Sequence, residues 1–167
     1  MPREKKINTP KTTAQRLDSL IKSARNKMRK DRELKTDLTR LPTLTWLMFL
    51  KFVDDMERVH EDESVLAGEP YRLLIDAPYR WRDWAADPAG ITGPDLLSFI
   101  NAEQAVRADG TQGPGLFAFL RGLRGNGAGR QRRDVVSAVF RDLRNYATSG
   151  YVLRDVINLI NGIHFDS

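Results

Sequence analysis

The sequence predicts an all-α fold, a single compact domain of about six or seven helices. One observation is that apolar residues recur at steps of three and four in most of the apolar segments, which is the spacing of one face of a helix. Another is that the chain has no succession of alternating, β-branched runs separated by hairpin turns. The third is a dense apolar block at 44–53, about half the roughly 20 residues that a membrane span needs. This block therefore predicts the central helix of a water-soluble domain, and no membrane partner is expected.

Residues 43–57 predict a helix that is buried on most of its sides. One stripe comprises Leu44, Leu47, Met48, Phe52, Met56 and Val59, and Trp46, Phe49, Leu50 and Val53 widen it until it nearly surrounds the helix. Pro42 is expected in the first turn of this helix, because proline lacks the N–H that interior positions need. A helix buried in this way requires several others around it.

The N-terminal third divides into an arm, a helix and a connection. Residues 1–11 are basic and contain two prolines, which predicts a disordered arm, so the folded domain is expected at 12–167. An amphipathic helix begins at Thr12 or Thr13, either of which can cap it, and reaches about Lys30. Residues 31–41 are a charged connection.

The remaining elements are shorter, and two apolar helices finish the chain. In order we expect a helical turn at 71–75, a helix at 95–106, a loop at 109–115, a short apolar helix at 116–123 and a mobile Gly/Arg-rich loop at 124–133. The last two helices have apolar faces at Val135, Val136, Val139, Phe140 and Leu143, and at Val152, Leu153, Val156, Ile157, Ile160 and Ile163, with Gly162 as the C-cap.

Basic residues are concentrated in two stretches. Residues 1–40 contain 13 Lys/Arg and 5 Asp/Glu, a net charge of +8, whereas residues 41–167 contain 14 and 17, a net charge of −3. Within that acidic body, residues 121–144 contain seven arginines and two aspartates. Such clusters attract polyanions and favour nucleic acid as a partner, although a solvated surface explains them equally well.

The residues expected to contact nucleic-acid phosphates are therefore cationic. The first group lies in and around the Gly/Arg-rich loop and comprises Arg121, Arg124, Arg130, Arg132 and Arg133; the second, late on the first helix, comprises Lys27, Arg29 and Lys30. The alternative for both groups is solvated surface. No residue pattern predicts base-specific contacts, so sequence choice is expected to belong to a partner.

Catalytic and metal-binding chemistry is not predicted. The chain has no cysteine and only two histidines, without any metal-ligand spacing, so we expect no metal site and no catalytic residue. Asp54, Asp55 and Glu57 are interpreted as a solvated helix edge, because neighbouring helical residues diverge by about 100°.

Two further features are assigned structural roles. Residues 87–93 superficially match the loop with which some DNA methyltransferases hold the methyl donor, but no buried strand precedes them, so no cofactor binding is expected. Trp81 and Trp84 are predicted to pack in the core, in preference to stacking on a flipped base.

The order of several segments resembles a known family. An amphipathic first helix is followed by the segments at 47–54 (LMFLKFVD), 79–84 (YRWRDW), 139–142 (VFRD), 153–160 (LRDVINLI) and 163–165 (IHF). Together they resemble the N-terminal helical domain of type I restriction-modification methyltransferase subunits. The resemblance covers roughly 13–167.

The resemblance implies a function for a longer parent protein. In that family the modification subunit is an S-adenosylmethionine-dependent adenine-N6 DNA methyltransferase that works with a specificity subunit and a restriction subunit. Its helical N-terminal domain helps to enclose double-stranded DNA and contacts partner subunits and its own catalytic domain. The motifs for catalysis and for S-adenosylmethionine are absent from this chain, so we expect it to be inactive alone, and to be cytoplasmic. A freestanding helical interaction or regulatory protein of a restriction complex is the alternative.

Overall fold

The computed structural model describes residues 12–125 and 130–165, and within the second range it does not describe the side chain of Arg130. The described residues form one compact domain that contains seven helices and one small two-stranded sheet, which confirms the all-α prediction. Its elements are α1 (Thr13–Met28), α2 (Asp37–Ala67), α3 (Trp81–Trp84), α4 (Gly93–Asn101), β1 (Ala105–Val106), β2 (Gln112–Gly113), α5 (Leu116–Arg121), α6 (Arg130–Arg141) and α7 (Gly150–Ile160). The predicted arm at 1–11 lies outside the described residues, as do residues 126–129 of the predicted mobile loop.

The helix α1 begins where the sequence predicts. Thr12 is its N-cap: the Thr12 hydroxyl accepts a hydrogen bond from the Gln15 N–H at 3.2 Å, and the Gln15 side chain accepts one from the Thr12 N–H at 2.8 Å. This reciprocal pair satisfies two backbone donors that a helix start otherwise leaves unpaired. α1 then packs against α7, with Ala24 and Met28 buried.

The helix α2 is longer than predicted. It starts at Asp37 and not at Pro42, so the second half of the predicted connection at 31–41 is helical, and Pro42 is the sixth helical residue. Thr36 precedes the helix with an extended backbone, and Asp37 places a negative charge in its first turn. The helix ends at Gly68, whose φ of 68° is a left-handed conformation that favours glycine.

The core surrounds α2. Trp46, Leu47 and Leu50 are buried, and the Phe117 ring from α5 meets the Trp46 ring edge-on with 4.9 Å between centroids. Phe52 departs from the predicted buried stripe, because 43% of it is exposed. Both tryptophans of α3 are buried, which confirms their predicted packing role.

The middle of the chain differs most from prediction. Residues 71–75 are not helical, and the helix expected at 95–106 ends at Asn101. The chain then forms an antiparallel hairpin in which Ala105 pairs with Gly113 and Val106 with Gln112. Such a two-residue strand is too short to show an alternating pattern, so the sequence gives no signal for it.

Smaller differences concern the ends and faces of the last helices. α5 ends at Arg121, α7 is capped by Asn161 and not by Gly162, and Val135 on α6 is 59% exposed although its face was predicted to be buried. Within the described residues, no helix is both long and apolar enough to cross a membrane.

Candidate nucleic-acid interface

A cleft of about 450 Å³ lies between the irregular segment 71–76 and the first turn of α6. Its lining contains four arginines and one carboxylate, and consists of Tyr71, Arg72, Leu73, Leu74, Asp76, Arg124, Arg132 and Arg133. We call it the arginine cleft. Two shallower depressions adjoin it, one sharing Asp76, Arg124 and Arg133, and the other sharing Tyr71 and Arg132. The three cavities are therefore neighbours, and each has at least one arginine in its lining.

The residue preceding the cleft, Arg121, has a structural position. Its guanidinium Nε donates to the Phe140 carbonyl at 2.9 Å and its Nη2 to the Leu143 carbonyl, at the C-terminal end of α6. The same group lies over the Phe117 ring, 5.6 Å from its centroid. Arg121 therefore joins α5 to the end of α6 and does not line the cleft.

Two arginines of the cleft are held in defined orientations. Arg124 Nη1 donates to the Leu123 carbonyl at 2.8 Å and to the Ser137 hydroxyl at 3.0 Å. Arg133 Nη2 donates to the Leu73 carbonyl at 2.9 Å and to an Asp76 carboxylate oxygen at 3.1 Å. These contacts tie the segment 71–76 to α6, so the two walls of the cleft are connected.

The other predicted phosphate contacts are distributed as follows. Arg132 is exposed and lines the cleft, while the side chain of Arg130 lies outside the described residues. Lys27, Arg29 and Lys30 lie at the C-terminal end of α1 and do not line the cleft. There their charges are favourably placed for the negative end of the helix dipole. The structure thus separates the two predicted groups into two surfaces.

The carboxylates of α2 are not a solvated edge, so that prediction is wrong. The Asp55 side chain is 15% exposed and pairs with the buried Lys51 at 2.6 Å. Asp54 and Glu57 are each only 3% exposed. Arg82 from α3 covers Asp54, with 2.9 Å between its Nε and an Asp54 oxygen, and also reaches Glu61 at 3.1 Å. Burial is possible because the neighbouring guanidinium compensates the charge. The signal available in the sequence was an arginine set between two tryptophans.

Glu57 connects this buried network to the cleft. One of its carboxylate oxygens accepts a hydrogen bond from the backbone N–H of Leu74, a residue that lines the cleft. The other oxygen is buried without a partner among the described residues. Burial, together with the nearby negative charge of Asp54, raises the pKa of Glu57 to about 7. A carboxyl group that titrates near neutrality therefore anchors one wall of the cleft.

The loop 87–93, which superficially matches a methyl-donor loop, is in contact with a buried arginine. The guanidinium of Arg154 fills its interior and donates to the carbonyls of Ile91, Ala85 and Trp84, each at 2.9 Å, and to that of Asp87 at 3.2 Å. A Cβ added to Gly90 would come within 3.1 Å of this guanidinium. The loop follows the helix α3 and not a strand end, which is where such cofactors are bound.

Metal chemistry has no candidate site in the part of the chain that the structure describes. Across 12–125 and 130–165, no three His, Cys, Asp or Glu side chains are grouped so that they could hold an ion. The lining of the arginine cleft contains more cationic than anionic side chains, which is suited to an anionic ligand.

The known proteins to which this chain is similar belong to one class, the subunits of type I restriction-modification enzymes. The methylase subunit of the type I restriction enzyme EcoEI from Escherichia coli is 38% identical over 151 residues. A modification subunit of a putative type I restriction enzyme from Vibrio vulnificus YJ016 is 56% identical, with a TM-score of 0.89 over 96% of this chain. No known family profile matches the chain.

Within that class the chain belongs with the modification, or methylase, subunits and is homologous to their N-terminal helical part. The match to the Escherichia coli relative covers 90% of this chain and 28% of the relative. The match to the Vibrio subunit covers 33% of that subunit. A chain from a structure on complex assembly and conformational transition of the type I system is 28% identical, with a TM-score of 0.71, over 95% of this chain and 28% of that one. The chain therefore spans about a third of the length of these relatives.

Proposed function

We propose that this chain is the N-terminal DNA-binding and subunit-assembly domain of a type I restriction-modification adenine-N6 methyltransferase subunit. It contacts the phosphates of double-stranded DNA, helps to enclose the duplex and docks against the specificity subunit, the restriction subunit and its own catalytic domain. S-adenosylmethionine and the methyl transfer belong to that catalytic domain. The domain itself performs no chemistry.

The observation that supports DNA contact is the arginine cleft. Four guanidiniums line it and only one carboxylate does, on a body that is acidic in total outside residues 1–40. Guanidiniums bind phosphate oxygens through two parallel hydrogen bonds, and each neutralised phosphate releases condensed counterions. Contacts of this type are independent of base sequence, which leaves recognition to another subunit.

Subunit contacts are supported by apolar side chains at the ends of α2. Leu38 and Leu41, near its start, are 85% and 52% exposed, and Val65 and Leu66, near its end, are 79% and 89% exposed. Apolar side chains grouped on a surface are typical of sites that bind another protein. Two helix ends thus offer docking positions outside the arginine cleft.

DNA binding is tested by fluorescence anisotropy with a labelled duplex as the salt concentration rises from 50 to 200 mM. We expect affinity to fall steeply with salt and to be equal for unrelated duplexes, because the contacts are to phosphates. Arg132→Ala should reduce the salt slope by about one unit. Arg16→Ala is the matched control, since it removes one exposed arginine from the first half of α1. Absence of binding at 50 mM salt, or an affinity independent of salt, contradicts the proposal.

Assembly is tested by co-expressing the chain with the specificity subunit of the same system and analysing the mixture by size-exclusion chromatography. We expect co-elution, and we expect it to weaken when Leu38 and Leu41 are both changed to Ser. Thr45→Ala, one turn further along α2, serves as the control. Separate elution of the two proteins at micromolar concentrations would rule out a direct contact by this domain alone.

A further inference from the structure

The arginines of the cleft differ from ordinary surface arginines in how they are held. Arg124 is oriented through Nη1 alone, by the carbonyls of Leu123 and Arg121 and by the hydroxyl of Ser137. All three acceptors are neutral, so these contacts fix the guanidinium without forming an ion pair within the part of the chain that the structure describes. Its Nε and Nη2 have no hydrogen-bond partner among the described residues. Fixing a side chain in advance lowers the entropic cost of binding a ligand.

Arg133 is held in a similar way, with one difference. Its Nη2 donates to the neutral Leu73 carbonyl and also to Asp76, whose side chain is 53% exposed. An ion pair as exposed as this contributes little to stability, because water screens it. The Asp76 carboxylate lines the cleft and pairs with the Arg133 guanidinium. It therefore occupies a position that an anion from outside the domain could take.

The start of α6 adds a third source of positive potential. Arg132 and Arg133 are the third and fourth residues of this 12-residue helix, and its first turn contains no acidic residue. Helices usually place Asp or Glu there, since the N-terminal end has a partial positive charge. Here arginines add to that charge, and an anion in the cleft would lie close to all of these groups.

We propose that the arginine cleft is a discrete binding site for one phosphate group, in which Arg124, Arg132 and Arg133 are the ligands and Asp76 is an internal competitor. The phosphate displaces the Asp76 carboxylate from Arg133 and binds in its place. This inference deepens the proposed function, on which it rests for the source of the phosphate: a phosphodiester of duplex DNA and not a free phosphate.

The decisive variant is Asp76→Asn, which removes the competing charge and keeps the size of the side chain. It should tighten binding of a 20-base-pair duplex about fivefold, since a weak ion pair of about 1 kcal/mol no longer opposes the ligand. Asp18→Asn is the control, because Asp18 is a similarly exposed acid paired with Lys22 on α1. It changes the net charge equally, and we expect less than a twofold effect.

The site itself is read out by NMR, through the Nε–H signals of the arginines during titration with inorganic phosphate. We expect the signals of Arg124 and Arg133 to shift together. The signal of Arg121 should remain unchanged, because its guanidinium already donates hydrogen bonds to two carbonyls. In Asp76→Asn the same shifts should appear at lower phosphate concentrations. Thermal melting of each variant checks that it is folded.

The outcomes separate this inference from the proposed function. Equal gains in duplex affinity for Asp76→Asn and Asp18→Asn, or no shift at Arg124 and Arg133, overturn the phosphate site even if the duplex still binds. Shifts at both arginines that depend on Asp76, without any duplex binding, support the site and contradict DNA as the source of its phosphate.

Discussion

Two groups of arginines in this domain show the same side chain in opposite roles. The closed group is Arg121 and Arg154, whose guanidiniums donate to backbone carbonyls. The open group is Arg124, Arg132 and Arg133 of the arginine cleft. Arg154 is 4% exposed, and its guanidinium donates to four backbone carbonyls in and just before the loop 87–93, those of Trp84, Ala85, Asp87 and Ile91. Arg132 is exposed, and Arg124 and Arg133 are each hydrogen-bonded through a single terminal nitrogen. The difference lies in how many donors the fold uses. A guanidinium whose donors are used holds the structure together, and one with donors left over can bind a ligand.

The largest effect is expected from a substitution in the closed group. Arg154→Met should lower the free energy of unfolding by about 3–5 kcal/mol, because several buried carbonyls lose their donor at once. Urea denaturation followed by circular dichroism measures this change. Arg154→Lys retains the charge but not the planar fork, so it should recover only part of the loss. A loss below about 1 kcal/mol for the Met variant would show that Arg154 is not structural.

The next effect concerns Glu57, which accepts a hydrogen bond from the Leu74 N–H in the wall of the arginine cleft. Its folded pKa of about 7 exceeds the ordinary value of 4.5, so ionisation opposes folding, and the wild type loses stability as the pH rises from 4.5 to 7. Glu57→Gln removes this charge and should stabilise the domain by about 1–3 kcal/mol at pH 8, with little gain at pH 4.5. Urea denaturation at both pH values gives the comparison. A gain of equal size at the two values is incompatible with a raised pKa.

A smaller effect should come from Ser137, which links both groups. Its buried hydroxyl accepts from Arg124 Nη1 and donates to the Arg121 carbonyl at 2.7 Å. Ser137→Ala should cost about 1 kcal/mol of stability and should also weaken duplex binding about twofold, because Arg124 becomes less ordered. Ser137→Thr, which retains the hydroxyl, is the control for binding. An affinity unchanged in the Ala variant would mean that orientation of Arg124 is unimportant.

The smallest effect on stability is expected for the open group. Arg132→Ala should change the free energy of unfolding by less than about 0.5 kcal/mol, since the side chain is exposed. The same variant should reduce duplex affinity, which makes it the reverse of Arg154→Met. Thermal melting and anisotropy on one protein sample test both statements. A large loss of stability would place Arg132 in the closed group.

The sequence predicted the features that depend on near neighbours. The Thr12 cap, the burial of Trp81 and Trp84 and the apolar face of α7 follow from local spacing, and the homologous family was identified from segment order. The sequence predicts the start of α2 too late, because proline is expected in the first turn of a helix, whereas residues 37–41 before Pro42 are also helical.

The roles of the charged residues could not be predicted in the same way. Asp54 is 28 positions from its partner Arg82, and Asp76 is 57 positions from Arg133. Periodicity reports which face a residue occupies, and it contains no information about a partner on another element. Arg121 and Arg132 look equivalent in the sequence, and only the carbonyls at the end of α6 distinguish them.

The continuous helix α2 fixes a length scale for the whole domain. Arg25, near the end of α1, pairs with Asp37 at one end of α2, and His60 lies in a depression that adjoins the arginine cleft towards the other end. The part of α2 from Asp37 to His60 rises about 35 Å, which equals the rise of about 10 base pairs of duplex. The cations late on α1 and those of the arginine cleft are therefore held apart by one continuous helix. Under the proposed function, we therefore expect a duplex much shorter than this spacing to contact one basic surface at a time, and a longer one to contact both.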